Sequence, residues 1–362
     1  MAATRDDVLK ALSGVIDPAS GKDVVSAGLI QGLTMREGNV GFAIEVPAAR
    51  GPHSEPLRKA AEEAVAKLPG VFSVTAVLTA HNEPPQARRA QAHAPQSSAG
   101  IPGVAAIIAV ASGKGGVGKS TVAVNLALGL SRLGLKVGLL DADIYGPSVP
   151  RLLDIRHKPE SDGKKLKPIE KLGIKAMSIG FLVREDEAMI WRGPMVQSAL
   201  TQMMNDVSWA PLDVLVIDMP PGTGDAQLTI AQRVPLKGAV IVSTPQDIAL
   251  IDARKGIAMF NKTHVPVLGV VENMSTFVCE NCGHETHIFG HGGAKAEAEK
   301  MGVPFLGEIP LMPIVRQTSD AGTPIVDYNP TGAEARAFMA MAENVARAIA
   351  APARAAPRIV IE

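Results

Sequence analysis

The nine residues GKGGVGKST, Gly113–Thr121, constrain the chain more than any other stretch. Gly113, Gly118, Lys119 and Ser120 satisfy G-x-x-x-x-G-K-[ST] without a gap. An apolar run, VAAIIAVAS, leads into the loop, and a run of helical spacing, VAVNLALGL, follows it. A strand, a glycine loop and a helix in that order form a phosphate cradle. Loop N–H groups and the helix N-terminus converge on anionic oxygens, and Gly115, Gly116 and Val117 complete the loop. Lys119 is placed to reach the β- and γ-phosphates, and Ser120, followed by Thr121, to hold Mg²⁺ through its hydroxyl.

The same logic extends along the chain. KVGLLDAD, VLVIDMP, GAVIVSTP and PVLGVVEN are continuous apolar runs separated by longer helical stretches. Uninterrupted apolarity is expected of parallel strands covered by helices on both faces. The expected fold is therefore α/β, a P-loop NTPase with a mostly parallel sheet covered on both faces, over residues 104–350. Residues 1–82 read as a small α+β domain. RDDVLKALSGVIDP is a helix stopping at Asp17-Pro18, two strands flank Glu37-Gly38-Asn39, a helix begins at a capping Ser54, and VFSVTAVLT is a strand. Residues 83–103, rich in Pro, Ala, Gln and Ser, read as a flexible linker, and 351–362 as a loose tail.

Ligands of such sheets bind at the carboxyl ends of the strands, and there the sequence places acidic residues. Asp141 and Asp143 follow the second strand, in DADIYGPS, and Asp218 follows the third, in VLVIDMPPGTGD. Asp218 fits a Walker-B aspartate that holds Mg²⁺ through water. The 36 basic residues balance the 36 acidic ones, and aromatics are 3% of the chain. That gives no electrostatic case for nucleic acid or an anionic membrane and no stacking platform. No apolar run is long enough to span a bilayer, and the first residues lack the apolar core of a signal peptide. A cytoplasmic protein is expected.

The chain has two cysteines, Cys279 and Cys282, in FVCENCGHETHIFG. A C-x-x-C lets two thiolates grip one metal centre. Spacing alone leaves several readings open: a zinc knuckle completed by His284, His287 or His291, a redox pair, an incidental pair, or half the ligands of an iron–sulfur cluster. One chain cannot ligate a cubane with cysteine alone, whereas a twofold dimer brings four thiolates together.

GKGGVGKST resembles the deviant Walker A motif of the nitrogenase-iron-protein, MinD and ParA class. That resemblance implies a homodimer with two sandwiched ATP molecules, in which Lys114 contacts the partner's nucleotide. It also implies that Asp143 is the switch I aspartate orienting the attacking water, that Asp218 opens switch II, and that Asn273, in VENMS, recognises the adenine. Pro245 and Gln246 lie near the same pocket. DADIYGPSVPRLL, WRGPMVQSAL, DVLVIDMPPGTGDAQLTIAQ, STPQDIALIDARKG and ENMSTFVCENCGHETHIFG together resemble the Mrp/ApbC family of iron–sulfur cluster carrier ATPases. The resemblance covers about residues 104–345. It implies a labile [4Fe–4S] cluster held by Cys279 and Cys282 at a dimer interface, with ATP and Mg²⁺ as further ligands. The implied partners are apo iron–sulfur proteins and cluster scaffolds. The N-terminal unit resembles the small iron–sulfur-assembly-associated domain of bacterial members, without the cysteine that domain often carries. Two other readings remain: a MinD/ParA-like positioning ATPase, for which residues 333–350 are amphipathic but carry few basic residues, and a zinc-stabilised scaffold ATPase.

Overall fold

A computed structural model describes residues 3–18, 20–36, 39–47, 54–81, 100–163, 165–183 and 193–351. The chain divides into two compact units, 1–94 and 95–362. Most of the expected linker, all but the first residue of the expected tail, and the turn residues Glu37 and Gly38 lie outside the described residues.

In the first unit, α1 (Arg5–Leu12) starts with a reciprocal cap. The Asp7 N–H donates to the Thr4 hydroxyl, and the Thr4 N–H donates to the Asp7 carboxylate. The helix ends at Leu12 rather than running on to Pro18. Ser13 and Gly14 are poor helix formers, and the chain instead folds back with the Val24 N–H on the Val15 carbonyl. Residues 24–28 form turns, and the first strand begins only at Ile30. Strands β1 (Ile30–Arg36) and β2 (Asn39–Pro47) pair antiparallel, and β3 (Ser73–His81) joins β2 in parallel across α2 (Glu55–Ala66). Val8, Leu12, Val40, Phe42, Ile44, Leu57, Ala61 and Val65 form the core.

Among the described residues, the second unit is built on a nine-stranded sheet. In chain order its elements are β4 (Val104–Ala111), α3 (Lys119–Arg132), β5 (Val137–Asp141), α4 (Val149–Leu152), β6 (Ile169–Lys171), β7 (Ile174–Ser178), α5 (Gly193–Asn205), β8 (Leu212–Asp218), α6 (Asp225–Arg233), β9 (Gly238–Ser243), α7 (Asp247–Lys262), β10 (Val267–Val278), β11 (Glu285–Thr286), α8 (Gly293–Met301), β12 (Phe305–Leu311), α9 (Pro313–Asp320), α10 (Ile325–Tyr328) and α11 (Ala333–Ala350). Strands β12, β10, β9, β4, β8, β5 and β7 run parallel in that order. β6 is an antiparallel edge, and β11 forms a hairpin with the far end of β10.

Residues 107–111 of β4, and β5 and β9 throughout, are buried. Each large apolar side chain so covered contributes roughly 1.5–3 kcal/mol. β4 is central. The chain passes from it toward β5 on one side and later returns to β9 and β10 on the other. The glycine loop at its carboxyl end thus lies at the switch point of the sheet, where open α/β folds bind ligands. α11 buries Phe338, Met341, Ala342 and Val345, and it packs against α3 and β12. Its apolar stripe is therefore used inside this unit. No helix among the described residues is long and apolar enough to cross a membrane.

Candidate nucleotide site and cysteine turn

The loop between β4 and α3 is shaped by close approaches. A Cβ on Gly113 would sit 2.2 Å from the Asp252 carbonyl of α7, so no side chain fits there. Gly118 has φ +78°, a left-handed conformation that L side chains rarely adopt, and a Cβ there would meet the Asn273 amide at 2.3 Å. The Ser112 hydroxyl donates to the Lys114 carbonyl at 2.8 Å, and the Gly222 N–H donates to the Ser112 carbonyl at 2.9 Å, which ties the MPPGTGD loop to the glycine loop. Ser112, Lys114, Gly115, Gly116, Gly118, Lys119, Ser120, Thr121 and Asp143 line one cavity of about 290 Å³. Val117 is buried beneath it.

Lys119 and Asp218 are both buried, and the Lys119 Nζ donates to Asp218 Oδ1 at 2.6 Å and to the Ser120 hydroxyl at 3.2 Å. The other carboxylate oxygen, Asp218 Oδ2, is buried and lacks a hydrogen-bond partner. Such an orphan acceptor is costly unless something else fills its coordination. Strand register sets Asp141 of β5 directly beside Asp218 of β8. Asp141 is wholly buried, and its carboxyl is pushed up to about 7, first by burial and then by the charge of Asp218. It accepts the N–H groups of Asp143 and Val149 and the Ser178 hydroxyl, at 3.1, 3.1 and 3.0 Å. Asp141 therefore fixes the loop that carries Asp143. Burial raises the Asp143 carboxyl, the Lys119 ammonium opposes that shift, and Asp218 adds to it.

Lys114 is half-buried, and among the described residues its ammonium has neither a hydrogen-bond nor an ion-pair partner. Asn273, buried on β10, donates its amide to the Val117 carbonyl at 2.8 Å and so braces the glycine loop. Pro245 lies at the end of β9, with its carbonyl 2.9 Å from where a Cβ on Gly293 would be, and Gln246 precedes α7. Sequence reasoning missed Gln227. Its amide donates to the Pro220 carbonyl at 3.2 Å and also to the Pro221 carbonyl, holding the loop after Asp218. Helical spacing carried the signal: Gln227, Ile230 and Ala231 share the buried side of α6, and a buried amide needs partners.

β10 continues past Asn273 to Val278, and the cysteines follow at once in the turn to β11. The Gly283 N–H donates to the Cys279 carbonyl at 2.8 Å, and the Cys279 N–H donates to the His284 carbonyl at 3.0 Å. The N–H groups of Asn281 and then Cys282, followed by the Cys282 side chain, hold the Cys279 thiol below its usual range. That favours the thiolate a metal centre requires. Cys282 is exposed. His287 bonds the Thr276 hydroxyl at 3.3 Å and stacks on His291, whose Nε2 pairs with Glu308 at 2.9 Å. Among the described residues, no histidine or carboxylate joins the two cysteines in a group of three close enough to share an ion.

Comparison with known proteins places these features in a family. Residues 103–346 match the ParA family, described as NUBPL iron-transfer P-loop NTPase, and residues 5–77 match the iron-sulfur cluster assembly protein family. The chain is 42% identical over 345 residues to the iron-sulfur cluster carrier protein of Helicobacter pylori, covering 94% of this chain and 92% of that protein. It is 56% identical over 249 residues to the iron-sulfur cluster carrier protein of Escherichia coli K12, covering 68% of each. Among solved structures, a nucleotide-binding protein from Archaeoglobus fulgidus in complex with ADP is 41% identical with a TM-score of 0.58, over 66% of this chain and 93% of that one. The cell-division ATPase MinD of Pyrococcus furiosus, 22% identical with a TM-score of 0.50 over 67% and 99%, shares the fold.

Proposed function

The chain belongs to the NUBPL iron-transfer P-loop NTPase family, and from that premise we propose that it is an ATP-hydrolysing iron–sulfur cluster carrier. As a homodimer it would hold a [4Fe–4S] cluster between its subunits and deliver it to apo-proteins. Residues 1–82 would form an accessory domain joined by a linker to the ATPase. The observation that carries this reading is the path of β10. One strand braces the nucleotide loop through Asn273 and, five residues after it, enters the turn of Cys279 and Cys282.

ATP is the substrate at the glycine loop. Lys119 would leave Asp218 for the β- and γ-phosphates, a shift between two anionic partners within one site. Mg²⁺ fits beside it, because Ser120 offers a hydroxyl and Asp218 Oδ2 is a buried acceptor with no partner. Held by Ser120 directly and by Asp218 through water, the ion would neutralise charge on the β- and γ-oxygens. Asp143, fixed through Asp141, would accept a hydrogen bond from the attacking water, whose oxygen would bond to the γ-phosphorus as the bond to the bridging oxygen breaks and its proton passes to the released phosphate. Lys114 finds no acceptor among the described residues of its own chain, which suits a role on the partner's γ-phosphate, where charge develops.

The cluster is cargo. Each chain offers two thiolates, one already favoured as thiolate by the turn's N–H groups, and among the described residues no nearby histidine or carboxylate completes the set. A second chain supplies the missing pair. The test is transfer. Protein loaded anaerobically with iron and sulfide is mixed with an apo four-iron dehydratase, and recovered dehydratase activity is followed. The loaded carrier should restore activity faster than free iron and sulfide do, and the variant with Cys279→Ala and Cys282→Ala should not. Equal rates for the two proteins would refute the carrier reading.

A further inference from the structure

Register on the far side of β10 creates a second concentration of ligand groups. Glu272 of β10 and Glu308 of β12 are partners on neighbouring parallel strands. Glu272 is wholly buried, and its two oxygens accept the N–H groups of Gly292 and Ala294, at 2.8 and 2.7 Å, where α8 begins. A helix N-terminus supplies only about half a positive charge, and two carboxylates side by side repel. His291 lies close to both, with its Nε2 2.9 Å from Glu308. One ligand atom from each of the three residues lies within 4.8 Å of the other two.

We propose that Glu272, His291 and Glu308 bind a divalent first-row transition-metal ion of the zinc type, at a site distinct from the cysteines. One imidazole nitrogen and two carboxylate oxygens are a donor set such ions take, with a fourth position left for water. His291 and Glu308 are partly exposed, so an ion has a way in. The α8 N–H groups orient Glu272 as outer-shell partners orient a ligand, and His287, stacked on His291 at a centroid distance of 4.5 Å, restrains the imidazole. The ion would join β10, β12 and the start of α8, closing the segment that leads away from the cysteine turn.

The test uses the full chain with Cys279→Ala and Cys282→Ala, so its outcome is independent of the cluster reading. Co²⁺ is titrated anaerobically, and its visible absorption and the melting temperature are read together. The site predicts one equivalent bound per chain, with the visible bands of an imidazole-ligated ion and a raised melting temperature. His291→Ala and the near-isosteric Glu308→Gln, each added separately, should weaken binding by at least ~10-fold, the loss that removal of an outer-shell partner already causes. Circular dichroism on each variant confirms that the fold is kept. Absence of binding, or binding that survives either substitution, overturns the proposal.

Discussion

Lys119→Ala removes the ammonium from its buried pair with Asp218 and, in the proposed mechanism, from the reacting phosphates at once. Hydrolysis should fall roughly 10²–10³-fold, or ~3–4 kcal/mol, as when a single transition-state donor is deleted. A steady-state phosphate-release assay on the purified variant checks this, and turnover near that of the parent would contradict the role. Asp141 makes a pH prediction. Its folded-state carboxyl lies at about 7 against an ordinary 3.8, so the folded protein holds a proton that the unfolded chain has released between those values. Stability of the nucleotide- and metal-free protein should therefore fall as pH rises from about 4 to about 7, and then level off. Urea unfolding across that window should show a flatter profile for Asp141→Asn; identical slopes would mean that Asp141 does not carry the effect. That Lys119, Ser120, Asp143 and Asp218 lie together was legible in the sequence because the signal is local, a motif at a strand end. The clamping roles of Asp141 and Gln227 were not. Strand register puts Asp141 beside Asp218, and two proline carbonyls, invisible in a string of letters, hold Gln227 in place.

At the scale of elements, β10 runs from the brace on the glycine loop to the cysteine turn, and its middle is irregular. Met274 has φ +58°, and pairing with β12 shifts register between Asn273 and Phe277. Beyond that kink the strand leads to the cysteines. Asn273→Ala removes the brace on the Val117 carbonyl and should weaken ATP binding about tenfold, the worth of one buried hydrogen bond. Iron and sulfide loading should be unchanged. Calorimetry with a non-hydrolysable nucleotide, alongside iron analysis, tests the split, and unaltered nucleotide affinity would show that the brace is dispensable. The parallel strands were readable as unbroken apolar runs, since helices cover them. Strand β12, FLGEIPL, was not singled out, because Gly307, Glu308 and Pro310 interrupt its apolarity. The pairing of Glu272 with Glu308 was hidden with it. The first helix was overextended because the sequence keeps apolar spacing through Val15 and Ile16, while Ser13 and Gly14 turn the chain back to a sheet-like bridge.

At the scale of the whole molecule, a bridged cluster and a Lys114 that acts on the partner's nucleotide both require two chains. If Lys114 serves the partner's nucleotide, Lys114→Ala and Asp143→Ala chains should each be inactive alone and complement each other when mixed. In a mixed dimer, the Lys114→Ala chain keeps its own Asp143 and receives Lys114 from its partner. Random mixing then restores about a quarter of the parent activity, since half the dimers carry one complete site. No recovery in demonstrated mixed dimers would place Lys114 in its own chain's site. The most direct measurement is the composition of the loaded protein. After anaerobic reconstitution with iron and sulfide in the presence of nucleotide, metal and sulfide analysis is combined with sedimentation on the same sample. The account predicts a dimer with about four irons and four sulfides per two chains, lost on Cys279→Ala or Cys282→Ala. A full cluster on a monomer, or iron retained without those cysteines, would contradict it.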